Sequence, residues 1–403
     1  MEGTEVEYLF AKPARTLGVF LLGLAVMLPV MAPAVVEAKR GESRQRGSGA
    51  ESGALIVKLK PGATESDAAA LAALGVDEIG RIDEINARVL RVSGRDRGQV
   101  RRLLASNPAV EAVEEDGEAQ ATLVPTDPLW SKQWYARTVR APSAWNVTTG
   151  SSQPVIAVLD TGVQANHPDL RGRVMAGYNF VANTTDAKDN GDHGTPVAGV
   201  IAGAGNNGVG VAGLCWQCRI MPVKVLNSTG GGTWSNISAG IIWATNQGAN
   251  VINLSLGAAS GNTALRDAIA YAISKGVVVV AAAGNSSSTS KFYPAAYPGV
   301  ISVAGTTSAD KIYSFSNRGS WVRLAAPGCT HTSSIGSTWR SFCGTSAATP
   351  VVAGAAGLVL SRVPTATRKQ VTNALLNTAV PIDEVWVQPG AARRTHEPRF
   401  EKL

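Results

Sequence analysis

The middle of the chain is built from short, mostly apolar runs that lack the alternation of a half-exposed strand. Val155-Ile156-Ala157-Val158-Leu159, Met221–Leu226, Val251–Leu256, Val277–Ala282 and Val300–Ala304 are of this kind. Such runs predict strands covered on both faces, as in parallel sheets. Helical stretches lie between them, at Ser235–Gln247 closed by Gly248 and at Ala264–Ser274 closed by Lys275-Gly276. Glycine just past the last turn is the expected helix stop. Strands alternating with helices predict an α/β fold, a mostly parallel, doubly wound sheet flanked by helices. Val351–Leu358 is apolar on every side and rich in Ala and Gly. It is too short for a membrane span and predicts a central buried helix.

The pattern before it differs. Leu55–Lys60 predicts a strand, Pro61-Gly62 a turn, and Ser66–Leu74 an Ala/Leu helix stopped by Gly75. Ile79–Ile82 and Ala87–Val92 predict paired strands, Arg97–Ala105 a helix stopped by Asn107-Pro108, and Val110–Glu114 a last strand. That βαββαβ order is ferredoxin-like. It sets a small domain at 54–121 before a main domain at 122–387. Ahead of both, an apolar run from Leu17 to Val36 follows Lys12 and Arg15 and ends in Val36-Glu37-Ala38. This predicts a signal peptide over 1–38, removed on export, and no stable membrane anchor. A polar linker follows at 39–53, and an Arg-rich tail at 388–403 is expected to be disordered.

Charge divides along the same boundary. Residues 1–121 hold 15 Lys/Arg against 18 Asp/Glu, and the rest hold 22 against 12. Opposite signs favour docking of the small domain on the large one. The overall +7 comes without a basic motif interleaved with aromatics, so no nucleic-acid partner is expected. Four cysteines, Cys215, Cys218, Cys329 and Cys343, make an even set in an exported chain and favour disulfides. Cys215 and Cys218 also spell C-x-x-C, for which redox and zinc readings exist.

Three stretches carry chemistry. Asp160 closes the apolar strand Val155–Leu159, at the carboxyl end where open α/β sheets place their ligands. His193 precedes a small-residue helix with Pro196 in its first turn. Ser346 opens the central apolar helix, where free N–H groups favour negative charge. A serine there is most simply an N-cap. With an acid and a base present in the order Asp, His, Ser, it becomes a candidate nucleophile.

On these stretches the chain resembles the subtilisin-like serine proteases, the subtilases. The resemblance rests on Val158-Leu159-Asp160-Thr161-Gly162-Val163, His193-Gly194-Thr195-Pro196-Val197-Ala198-Gly199 and Gly344-Thr345-Ser346-Ala347-Ala348-Thr349-Pro350. It covers about residues 125–380, and the 54–121 domain is similar to the family's propeptide, which assists folding and then inhibits. The resemblance implies a secreted serine endopeptidase acting on polypeptides, made as a self-processing precursor with its own propeptide as intramolecular inhibitor; a monomer is expected. It implies Ser346 as nucleophile, His193 as base, Asp160 as the acid that orients it, and Asn285 as oxyanion donor. Ser255-Leu256-Gly257 and Ala282-Ala283-Gly284 would line the cleft and pair with substrate backbone. Structural Ca²⁺ would be held by Asp127, Asp169 and Asn207 with carbonyls of the 205–211 loop, an all-oxygen set suited to a hard cation. In the family's second cation loop, here Asn179–Asp192, Ala182 and Lys188 stand where oxygen ligands are expected. Ala347 follows the nucleophile where the family commonly has Met. Two alternatives are an inactive binding protein, against which the four intact polar residues stand, and an esterase, for which the chain lacks a G-x-S-x-G elbow.

Overall fold

The computed structural model describes residues 54–117, apart from 65, 67–70, 72–74 and 93–95, together with 123–382 and 393–394. The expected signal peptide, linker, most of the Ser66–Leu74 helix and most of the tail lie outside the described residues. Two compact units are present, one up to Glu118 and one from Ala119.

In the first unit, strands β1 (Ala54–Leu59), β2 (Val76–Ile82), β3 (Ala87–Val92) and β4 (Val110–Glu115) form an antiparallel sheet of order β2-β3-β1-β4. Helix α1 (Arg97–Ser106) starts at Asp96, whose carboxylate accepts from Gly98 N and Gln99 N. It turns Val100 and Leu104 onto Leu55, Val57, Leu59 and Leu90 of the sheet. Helix α1 between β3 and β4, with this strand order, gives the ferredoxin-like arrangement.

The second unit begins with two short helices, α2 (Trp134–Thr138) and α3 (Ala141–Val147). The strands and helices that follow are β5 (Val155–Asp160), β6 (Tyr178–Asn179), α4 (Gly194–Ala202), β7 (Arg219–Lys224), α5 (Trp234–Asn246), β8 (Val251–Leu254), α6 (Thr263–Ser274), β9 (Val278–Ala282), β10 (Ile301–Thr306) and β11 (Leu324–Pro327). A hairpin, β12 (Cys329–Ser334) and β13 (Thr338–Cys343), leads into α7 (Thr345–Arg362) and α8 (Arg368–Asn377). The sheet order is β6-β7-β5-β8-β9-β10-β11, seven parallel strands. Its far edge is extended by β14 (Val380–Pro381) and β15 (Arg393–Arg394). Arg393–Arg394 lie in the tail expected to be disordered, yet pair with the open edge of β11 at Ala325.

The apolar runs are buried on both faces, as their lack of alternation requires. Ile156 and Val158 face the core under α4, α7 and α8, while Val155, Ala157 and Leu159 face the core under α5 and α6. Helix α7 is buried at every residue from Ala347 to Leu360. Its small residues permit that position: a Cβ on Gly357 would meet Cys218 Sγ at 2.7 Å and Ile156 Cδ1 at 2.9 Å. Both cysteine pairs are disulfides, Cys215–Cys218 and Cys329–Cys343. The second joins directly opposed residues at the root of the hairpin. Strand order reverses between β5 and β8, and Asp160 and Ser255 stand at the carboxyl ends of these two strands. That reversal is where ligands bind in open α/β sheets.

Candidate active site

Asp160 is fully buried at the end of β5. Its Oδ1 accepts from Thr161 N at 2.7 Å, and both oxygens lie 2.8 and 2.9 Å from His193 Nδ1. An ionised carboxylate can only accept, so Nδ1 carries the proton and Nε2 keeps its lone pair. His193 is the residue on which α4 starts, and its ring packs edge-on against Phe342 at 5.1 Å. Burial disfavours the imidazolium, but the charge and hydrogen bond of Asp160, with the charge of Asp189, outweigh it. The net effect raises the pKa of His193 above the ordinary histidine value.

Ser346 is not the N-cap of α7; Gly344 is, and Ser346 sits in the first turn. The structure therefore corrects the simpler reading of Ser346 as a cap. Pro350 explains another of its contacts. Proline has no N–H to give the carbonyl four residues back, so Ser346 O is left without its helical partner. Ser255 Oγ takes that role at 3.0 Å and is itself held by Asn253 Nδ2 at 3.0 Å. In return, Ser346 Oγ donates to Ser255 O at 3.1 Å. It makes no hydrogen bond to His193 among the described residues. Longer contacts before substrate binds are usual at such sites.

Asn285 follows β9 on an exposed loop. Its Oδ1 accepts from Thr345 N at 2.8 Å and Thr345 Oγ1 at 3.0 Å. This fixes the amide with Nδ2 as a free donor. Gly344, at φ +125°, shows where that donor points: a Cβ there would lie 3.3 Å from Asn285 Nδ2 and 3.7 Å from Ser346 N. The missing side chain leaves space beside both nitrogens.

A cleft of about 700 Å³ runs past this centre, with Thr161, His193, Leu226, Trp234 and Arg340 on its walls. Ser255, Leu256 and Gly257 also line it. Ala282, Ala283 and Gly284 are buried at the end of β9. Gly284 N donates to Thr345 Oγ1 at 3.1 Å, which ties this segment to the residue before Ser346.

Asp127, Asp169 and Asn207 come together away from the cleft. Asp127 accepts from Asn206 N at 2.8 Å and Asn207 N at 3.3 Å, and Asn207 Nδ2 donates to Asp169 Oδ1 at 3.2 Å. Asp169 Oδ2 also accepts from Trp339 Nε1 and Val211 N. Both carboxylates are buried, and neither has an ion pair among the described residues. Burial pushes the Asp169 carboxyl above the usual carboxylate range. No group of three His, Cys, Asp or Glu suited to a metal occurs among the described residues. A cation here would therefore draw on Asn207 and backbone carbonyls as well, which is the chemistry of a hard ion.

Several residues of the site escaped the sequence. Buried Asp189 accepts from Thr161 Oγ1 at 2.7 Å, Gly191 N at 2.9 Å, Asp192 N at 3.0 Å and Thr195 N at 2.9 Å, shaping the turn that carries His193. Buried Lys224, the register neighbour of Asp160 on β7, donates to Asn190 Oδ1 at 2.8 Å and Leu226 O at 3.0 Å. Asn317 holds the Asn285 loop, donating to Ala283 O at 2.9 Å and accepting from Ser286 N at 2.9 Å. Lone polar residues in apolar runs, such as Lys224 in Ile220–Val225, were the available signal.

The chain is similar to known proteins along most of its length. Residues 151–399 match a family model described as the subtilase family, and residues 39–116 match one described as the fervidolysin N-terminal prodomain. A thermophilic serine proteinase of Bacillus sp. (strain AK1) is 42% identical over 315 residues, covering 77% of this chain and 78% of the relative. Thermitase of Thermoactinomyces vulgaris is 46% identical over 257 residues, 63% of this chain and 91% of the relative. A solved protease from Pseudoalteromonas arctica superposes with a TM-score of 0.62 at 32% identity, covering 68% of this chain and 98% of that one.

Proposed function

This chain belongs to the subtilase family and is a serine endopeptidase with an N-terminal prodomain, and from that we propose that Ser346, His193 and Asp160 are its catalytic triad. The reading is carried by one observation: the buried Asp160 carboxylate fixes His193 Nδ1 as donor, which leaves Nε2 basic on the cleft side. Ser346 Oγ attacks the peptide carbonyl as Nε2 takes its proton. The oxyanion forms against Asn285 Nδ2 and Ser346 N. His193 then protonates the leaving amine, and water hydrolyses the acyl-enzyme by the same steps in reverse. Ser255-Leu256-Gly257 offer backbone to an extended substrate, with Ala282-Ala283-Gly284 supporting the opposite side.

Asn285→Ala is expected to lower kcat by about 10²–10³ with KM little changed, because the donor meets the oxyanion only in the transition state. Kinetics on a chromogenic peptide check it; a rise in KM at constant kcat would assign Asn285 to substrate binding instead.

The chain is further proposed to be exported, with residues 1–38 removed, and to cut itself between the 54–121 domain and the 122–387 domain. The segment Gly117–Thr122, of which 118–122 lie outside the described residues, is the proposed crossing point. N-terminal sequencing of the secreted product tests this, and a mature terminus before about Val110 contradicts it. The freed domain would act as an inhibitor of the enzyme.

Calcium is proposed as a structural ion, held by Asp127, Asp169 and Asn207 with carbonyls of the 205–211 loop. Bound there, it would neutralise two buried carboxylates and tie the segment around Asp127 to that loop. A chelator is expected to lower Tm by roughly 5–15 °C, and Ca²⁺ to restore it where Mg²⁺ does not. An unchanged Tm counts against the site.

A further inference from the structure

Asp192, the residue before His193, has a backbone that few non-glycine residues adopt, with φ at +51°. Such conformations persist where the surroundings over-determine them. Here those surroundings are the β12–β13 hairpin, some 140 residues later in the chain. Asp192 accepts from Ser334 Oγ at 2.8 Å, from Ile335 N at 2.9 Å and from Arg340 Nε at 2.9 Å. Its backbone carbonyl takes a further bond from Arg340 Nη2 at 2.6 Å. One guanidinium thus holds both the carboxylate and the main chain of the residue joined to His193. The planar fork of arginine suits such a double grip, where a lysine would give a single point of charge.

The hairpin that supplies this grip is also the approach to Ser346. β13 ends at Cys343, bonded across to Cys329, and Gly344 follows. Arg340 lies over the Phe342 ring at 5.4 Å, and Phe342 packs against His193. Asp189 fixes the other side of the turn through Gly191 N, Asp192 N and Thr195 N.

We propose that Asp192 and Arg340 are positioning residues, an ion-paired clasp that locks the turn bearing His193 to the hairpin running into Ser346. Neither touches the reacting atoms. Each acts through the backbone and ring of its neighbours, keeping base and nucleophile in one register while a substrate strand enters between the walls of the cleft. The proposal rests on the assignment of His193 and Ser346 as base and nucleophile.

The test uses the full-length chain, allowed to process, with Ser346→Ala alongside. Displacements of the order of an ångström cost up to about 100-fold in rate. Asp192→Asn and Arg340→Gln are therefore expected to lower kcat roughly 10–100-fold, with KM within twofold. Because they break one clasp, the double variant should lose no more than the worse single. Asp192→Gly accepts the positive φ and so keeps the turn foldable; it should lose kcat likewise.

The pH profile separates this from a merely structural contact. The charges facing His193 are Asp160, Asp189 and Arg340, with Asp192 beside it and Lys224 the register neighbour of Asp160. Arg340→Gln removes a cation that opposes the imidazolium, so the acid limb of kcat/KM should move to higher pH. Asp192→Asn leaves Arg340 uncompensated and should move it lower. Arg340→Lys should keep the limb in place while recovering only part of kcat. Unchanged kcat in the single variants, multiplied losses in the double, or immobile acid limbs overturn the clasp. If the wild type hydrolyses peptides, Ser346→Ala does not, and Arg340→Gln behaves as wild type, only the clasp fails. A fully active Ser346→Ala overturns the underlying assignment instead.

Discussion

Replacing Ser346 with alanine is expected to lower kcat by about 10⁶, the loss that follows when one member of a Ser–His unit is removed. Once an added protease has removed its 54–121 domain, the variant keeps the Asp160–His193 pair, the two oxyanion donors and the cleft, so substrate should still bind with KM within a few fold. What disappears is the oxygen that forms the acyl-enzyme. Residual catalysis of about 10³–10⁴ over water is expected from the oxyanion donors and binding alone. The same substitution should arrest processing, leaving the 54–121 domain attached in the isolated product. Steady-state kinetics and intact mass together check both consequences. A fall of less than about tenfold, with normal trimming, would mean that another residue performs the attack.

Asp160→Asn is expected to cost about 10⁴ in kcat near neutral pH. The amide keeps the volume of the carboxylate but can donate to Nδ1, which favours the tautomer with its proton on Nε2, the wrong nitrogen. The pH profile carries the second signature. In the wild type, activity requires neutral His193, so it falls as pH drops through a pKa that Asp160 and Asp189 have raised above the ordinary value. Burial works in the opposite direction. With the Asp160 charge gone, burial is less opposed, His193 is harder to protonate, and the acid limb should move to lower pH. A limb that stays in place, or moves up, would show that Asp160 is not what holds the imidazolium. The same coupling bears on the fold: protonated His193 is stabilised by Asp160 below its unfolded pKa, and that contribution fades as pH rises through the raised folded one.

The parts of the site that could be read in the sequence are those fixed by local pattern. Val155–Leu159 is apolar without alternation because both faces of β5 are covered, and Asp160 is polar because β5 ends there. Val351–Leu358 carries only small and apolar residues because α7 runs through the core. Spacing around His193 and Ser346 was legible for a similar reason, since each opens a helix whose composition is distinctive. Asp127, Asp169 and Asn207 were singled out only through the family resemblance; in the fold Asn207 hydrogen-bonds to both carboxylates.

What escaped depends on contacts between distant segments. Asp192 reads as an ordinary loop acid, and nothing around it announces Arg340 148 residues later. Lys224 stands out as a lone charge in an apolar run, but its partners, Asn190 and the carbonyl of Leu226, are set only when the loop before His193 packs on β7. The cap of α7 is Gly344, whose positive φ favours glycine and whose missing Cβ leaves space beside Asn285 Nδ2 and Ser346 N. The bonds of Ala283 O to Asn317 and of Gly284 N to Thr345 also join segments far apart in the chain.

Covalent capture tests most directly whether Ser346 is a nucleophile activated by His193. The processed enzyme would be treated with a fluorophosphonate and its peptides mapped by mass. One adduct per chain on the peptide holding Ser346, lost in Ser346→Ala and slowed by about the same factor as turnover in Asp160→Asn, is the predicted result. Full loss of peptidase activity with the adduct on a different residue, or stoichiometric labelling of Ser346 with activity intact, would contradict it.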